Sequence, residues 1–240
     1  MTTLVNIVLA CGVLSAVIYA SRLLTFRGTF GAFIIAVFIW STRGVSWLLV
    51  LLLFFVVGSV GTKWKYKHKE RAGTAEARKG RRSIENVLGS SYAPLLFVVF
   101  SSPVGFLASV AGAMADNLAS ELGVLSPNVR LITTLRRVPR GTDGGVSLWG
   151  LFVSFVAAGV IAAVSPLMGI TDAATVAIIW LSGFAGSLFD SVLGATLERR
   201  GTIGKTEVNI AATLFSGLLA LALVQADVAV ALAAYLPFKY

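Results

Sequence analysis

Several stretches of this chain stay apolar for 16 to 25 residues. At about 1.5 Å of rise per helical residue, such a run is close to the length that crosses roughly 30 Å of hydrocarbon. Runs near 2–20, 29–41, 45–61, 86–101, 103–120, 148–169, 174–197 and 208–233 predict an all-α polytopic membrane protein of about eight transmembrane helices. The range is six to nine, because the second run is short and the fourth and fifth are joined only by Ser101, Ser102 and Pro103. Composition agrees with that class: at 57% hydrophobic, 13% charged and mean hydropathy +0.86, the chain has too little charged surface to cover a soluble globule of 240 residues. Residues 1–240 are expected to form a single transmembrane domain.

Residues 2–20 end in Ala20-Ser21 and invite comparison with a cleaved signal peptide. They carry no positive charge ahead of the apolar run, and Arg22 and Arg27 follow it, which is the wrong order for a secretory signal. The segment reads as a first span with its N-terminus outside. With eight spans, segments 21–28, 62–85, 121–147 and 198–207 share one side and hold 2, 9, 4 and 3 Lys or Arg, 18 of the chain's 20. Only Arg43 and Lys239 fall opposite. The positive-inside rule makes the rich side cytoplasmic, gives basic cytoplasmic loops at 62–85, 121–147 and 198–207, and puts the C-terminus outside with the N-terminus. Topology thus accounts for the net charge of +9 without a nucleic-acid partner.

Single residues narrow the chemistry. Cys11 is the chain's one cysteine and sits in the first span, where it reads as packing. His68, the one histidine, lies in a solvated basic run with Lys63, Lys65, Lys67, Lys69 and Arg71. Gly201-Thr202-Ile203-Gly204-Lys205-Thr206 imitates the end of a P-loop, but the first required glycine falls on Arg199 and a membrane helix precedes it where a strand belongs. The informative residues are the acids inside apolar runs, because an ionisable group costs a few kcal/mol at mid-membrane and faces a partner or a cavity. Asp116 and Glu121 close the fifth run, with Ser120 one helical turn beyond Asp116, and Asp190 approaches the same face in the seventh. Asn86 opens the fourth run from that face and Asn209 the eighth. Gly105, Ser109, Gly112 and Ala113 precede Asp116, and Gly183, Gly186 and Ser187 precede Asp190, small ridges that let the two acid-bearing helices pack closely. Paired carboxylates at such an interface suit Mg²⁺. Asp227, near the far end of the last run, reads as an interface residue.

The basic loops add what a carboxylate cluster lacks. Residues 78–86 and 136–147 combine cations with glycines and hydroxyls, the composition that lets charges and backbone N–H groups approach phosphate oxygens. A loop lying on anionic lipid has the same composition, so the loops gain weight only beside the acids.

At these residues the sequence resembles the transmembrane protein 19-like family, which includes the plant phytyl-phosphate kinase. The resemblance is carried by Leu24-Thr25 and Gly28, Thr62-Lys63, Gly80-Arg81-Arg82 with Asn86, Asp116 to Gly123, Gly141-Thr142 with Gly144-Gly145-Val146-Ser147, Asp190-Ser191 with Gly194-Ala195, and Asn209. It departs at Thr206-Glu207-Val208-Asn209, where the pattern has an Asn-Asp pair before Val-Asn, and Glu207 is the expected substitute acid. The resemblance implies phosphorylation of an isoprenoid lipid monophosphate to the diphosphate by a nucleoside triphosphate, CTP favoured, at the face of the cytoplasmic membrane. Asp116, Asp190 and Arg82 are the expected catalytic residues, and Asp116, Glu121 and Asp190 the expected Mg²⁺ ligands. Lys63, Arg81, Asn86, Arg140, Gly144, Gly145, Ser147 and Asn209 are expected on nucleotide and phosphate, with Ser120 and Ser191 beside the acids. Partners are then the lipid monophosphate, the nucleotide and membrane lipid. Oligomeric state is open, a homo-oligomer included. Cytidylyl transfer to a lipid phosphate needs the same parts, and carriage or flipping of a phosphorylated small molecule is the reading from a different class.

Overall fold

A computed structural model describes residues 3–75 and 78–235, with side chains described as far as Asp227. Eight long helices cover most of the chain: α1 (Leu4–Ala20), α2 (Phe26–Arg43), α3 (Val45–Lys63), α5 (Ile84–Val99), α6 (Pro103–Gly123), α7 (Leu148–Leu167), α8 (Val176–Leu193) and α9 (Lys205–Tyr235). A short α4 (Tyr66–Arg71) sits in the basic loop, and a turn of π-helix, Gly194–Glu198, extends α8. The segments Val45–Lys63, Leu148–Leu167, Ala173–Glu198 and Lys205–Asp227 are each long and apolar enough to cross a membrane, and Leu4–Ala20 and Ile84–Val99 are shorter apolar helices. The fold is all-α and polytopic, as the apolar runs predict. Lys239 lies outside the described residues.

Caps start these helices where the apolar runs begin. Thr25 accepts from the Gly28 backbone N–H at 3.2 Å, Ser102 from Gly105 at 3.2 Å with Pro103 in the first turn, and Ser147 from Gly150 at 3.0 Å. Each oxygen satisfies one of the amide donors a helix N-terminus leaves unpaired. Ser101 adopts φ +56°, turning the chain between α5 and α6 so that they are separate helices.

Contacts between loops show which share a face. Leu24 bridges Arg82, Lys69 bonds Glu121, Gly123 packs on Gly150, and Gly144 packs on Ala195, so the segments around 24, 69–82, 121–147 and 195 form one layer. On the opposite face Arg43 grips the end of α5, its Nε donating to the Val98 carbonyl at 2.9 Å and its guanidinium also reaching Ser101. The lone described Lys or Arg of that face is thus a helix tie.

At the centre stands α6, which packs against α3, α5, α7, α8 and α9. Every residue from Gly105 to Ala115 is buried. Small side chains let its neighbours close in: Gly183 of α8 lies against Ala111, a Cβ there meeting the Ala111 carbonyl carbon at 3.1 Å, and Ser109 donates to the Thr213 carbonyl of α9 at 2.8 Å. The small ridges therefore seat α8 beside α6, as their spacing predicts.

Candidate functional site

Because α6 and α8 end at the basic face while α5, α7 and α9 begin there, two C-terminal halves and three N-termini surround one space. That space is a cavity of about 370 Å³. Asp116 of α6 and Asp190 of α8 both line it, half-buried, and Asp190 lies in the electrostatic field of Asp116. Asp190 Oδ2 is buried and has no hydrogen-bond partner among the described residues. Lys205, the first residue of α9, lines the same cavity and acts electrostatically on both aspartates. Two adjoining carboxyl groups and an unsatisfied oxygen favour a shared cation, because a buried carboxylate without a partner is costly.

Arg82 lines the same cavity. It is 7% exposed, its Nη2 donates to Asn117 Oδ1 at 2.7 Å, and its guanidinium carbon lies 5.4 Å from the Phe54 ring centroid. Gly58 of α3 makes the room, since a Cβ there would collide with both the Arg82 guanidinium and the Asn117 amide oxygen. The rim carries Arg140 and the turn Thr142-Asp143-Gly144-Gly145. Gly144 has φ +71° and touches the Ala195 backbone, so no side chain fits at that contact. A two-stranded pair, Arg130–Leu131 with Gly145–Val146, holds this loop in place. The N-termini of α5, α7 and α9 contribute Asn86, Ser147 and Lys205 to the wall, and their dipoles favour an anion there.

The cavity brings together Asp116, Asp190, Arg82, Asn86, Arg140, Gly144, Gly145, Ser147, Asn209, Glu121, Ser120 and Ser191. Several expected roles are nevertheless corrected. Glu121 is no third metal ligand: its Oε2 pairs with the Lys69 ammonium at 2.5 Å, and among the described residues no group of three or more His, Cys, Asp or Glu could hold a metal. Lys69 itself is 1% exposed and also donates to the Gly61 and Thr62 carbonyls at 3.1 and 2.7 Å, so the basic loop is anchored by a buried cation instead of being wholly solvated. Arg81 turns away from the cavity, donating to the Leu24 carbonyl at 3.0 Å beneath the Tyr19 ring. Lys63 is exposed and donates to the Ser21 carbonyl at 3.4 Å, outside the cavity. Glu207 does not substitute as an acid in the site, because its carboxylate accepts from the Gly204 N–H at 3.0 Å at the start of α9. Asn86 and Ser147 line the wall with their side chains committed as caps: Asn86 Oδ1 accepts from the Ser83 N–H at 3.1 Å, and Ser147 Oγ donates to the Gly123 carbonyl at 3.2 Å.

Residues that sequence reasoning passed over are Asn117, which orients Arg82, and Lys205, which faces the aspartates. A signal existed for the second: Lys205 is the one cation of segment 198–207 that opens a helix at the depth where the acids end theirs.

The chain matches the family described as "Integral membrane protein DUF92" over residues 9–233. It belongs to that family. Among relatives, it is 32% identical over 222 residues to an uncharacterized membrane protein, MJ0933, of Methanocaldococcus jannaschii, covering 90% of this chain and 91% of that protein. An uncharacterized membrane protein of Synechocystis, sll0875, is 36% identical over 196 residues, 77% of this chain and 76% of its own. The chloroplastic protein VTE6 of Arabidopsis thaliana is 31% identical over 188 residues, 73% of this chain and 56% of its own. No solved structure matches. Membership bears out both the integral membrane assignment and the family resemblance carried by the motifs.

Proposed function

We propose that this DUF92 protein is an isoprenyl monophosphate kinase, of phytyl or geranylgeranyl type, that transfers the γ-phosphoryl group of a nucleoside triphosphate, CTP favoured, to a lipid monophosphate. The observation that carries the reading is the Asp116–Asp190 pair set in a basic-faced cavity beside Arg82, Arg140 and Lys205. The family resemblance supplies the substrate class. The VTE6 similarity agrees with a plant branch of the same family.

Mg²⁺ fits the donor set, since this ion is held by one or two carboxylates completed by substrate phosphates and water, and Asp190 Oδ2 has an open lone pair. Asp116 and Asp190 would hold it. When bound, the ion neutralises charge on the donor's phosphates. An oxygen of the lipid monophosphate attacks the γ-phosphorus, the bond from that phosphorus to the β-bridging oxygen breaks, and the nucleoside diphosphate leaves. Arg82, Arg140 and Lys205 hold the phosphate charges in line, because phosphoryl transfer depends on positioning and electrostatics. The acceptor is already ionised at neutral pH, so no strong general base is required. The cavity glycines let backbone N–H groups approach the nucleotide phosphates. We assign the protein to the cytoplasmic membrane with its basic face inward.

The test is turnover by detergent-purified protein given geranylgeranyl or phytyl monophosphate, Mg²⁺ and each of CTP, ATP, GTP and UTP, with lipid products read by mass. The diphosphate is expected, with CTP the best donor. A CDP-lipid would make it a cytidylyltransferase, and no product from any pair would make carriage of a phosphorylated molecule the better reading.

A further inference from the structure

Beside the polar cavity lies a second pocket, of about 70 Å³, bounded by α2, α3 and α5 with α1 at its side. Its walls are apolar, with Leu48, Leu51, Leu52 and Phe55 of α3 opposite Ile35 and Ala36 of α2. At one end the character changes. Arg82, Phe54 and Ser90 line this pocket and the polar cavity alike, so the two spaces share a wall. The shared cation lies over an aromatic ring, and its charge stands at the junction of an apolar slot and a chamber built for anions.

An occupant that satisfies both spaces must be apolar at one end and anionic at the other. A nucleotide has no apolar part for the slot, and a neutral lipid has no charge for Arg82. We propose that the pocket seats the isoprene units next to the phosphate of the lipid monophosphate, with the phosphate at Arg82 and the rest of the tail passing into the bilayer. This deepens the kinase reading and rests on it for the identity of the head group. The small volume fits the units adjoining the phosphate and not a whole tail. Selectivity therefore falls on branching and saturation near the phosphate, and tail length beyond those units changes KM little. Ala36 is 7% exposed and lines the slot, so a large side chain placed there fills it from α2.

The experiment is photo-crosslinking of the full chain in detergent by a farnesyl monophosphate carrying a diazirine on its second isoprene unit, with labelled peptides mapped by mass. Label is expected on α2 and α3, removed by unlabelled farnesyl monophosphate and not by farnesol. Ala36→Phe should lower labelling about ten-fold by filling the slot while CTP binding by titration is unchanged. Ala32→Leu, a smaller intrusion into the same pocket, is the second variant should Ala36→Phe fail to fold. Label confined to α7 and α8, or competed equally by farnesol, would overturn the pocket assignment. Specific labelling without turnover would support the pocket and remove the kinase reading, whereas turnover with label elsewhere would do the reverse.

Discussion

The first 69 residues of this chain contain no aspartate or glutamate, and all eleven acids fall from Glu70 onward. The two regions differ in packing as well. In α1 and α2 large apolar side chains face outward, with Leu9 62%, Val13 66% and Phe30 61% exposed, whereas α6 is enclosed from Gly105 to Ala115. The N-terminal helices therefore meet lipid along most of their length, and α5 to α9 wrap a central helix and spend small residues on close approach. The comparison teaches where each kind of chemistry can live. Carboxylates are tolerated where neighbouring helices screen them from hydrocarbon, and the lipid-facing helices carry cations only at their ends.

Breaking the acid pair tests the C-terminal region most severely. Asp190→Asn should lower turnover by about 10³-fold or more with the helical circular dichroism unchanged, since it removes the proposed metal-facing oxygen and little volume. Undiminished turnover in the purified variant would end the assignment. Next in size is Glu121→Gln, which leaves the Lys69 ammonium buried without its carboxylate and should cost about 3–5 kcal/mol of stability, read as a fall in Tm; Lys69→Met combined with Glu121→Leu should recover most of it. Gly183→Val drives a branched side chain into the Ala111 backbone and should cost about 1–3 kcal/mol, with the same melting assay as the check. On the far face Arg43→Gln removes the tie to the Val98 carbonyl and should cost about 1 kcal/mol, with KM for nucleotide untouched. Smallest of all is Lys63→Ala, expected to leave KM for both substrates as it was, because this exposed cation lies outside the cavity.

Much of this arrangement is written locally. Ser102-Pro103 and Ser147 with Gly150 mark helix starts because a cap and its target amide are three residues apart. The acids in α6 and α8 stand out because lipid penalises them, and the glycine spacing beside them announces close packing. Pairings across long intervals are the part that could not be read. Lys69 finds Glu121 across 52 residues, and only the packed structure distinguishes this buried lysine from its solvated neighbours Lys65 and Lys67. Arg81 and Arg82 are adjacent in sequence and point to different tasks, one to the Leu24 carbonyl and one to Asn117, since the bridge between Leu24 and Arg82 fixes the backbone and sends successive side chains apart. Composition cannot see that alternation.

The enclosure of α6 has a consequence for biogenesis. Helices reach the membrane in the order of synthesis, and this one arrives before α7, α8 and α9, which later cover three of its sides. It is not among the helices apolar and long enough to be held by lipid on their own account. During translation its serines, glycines and Asp116 therefore lack the cover of α7, α8 and α9 until those spans emerge, and the protein cannot complete its core one helix at a time.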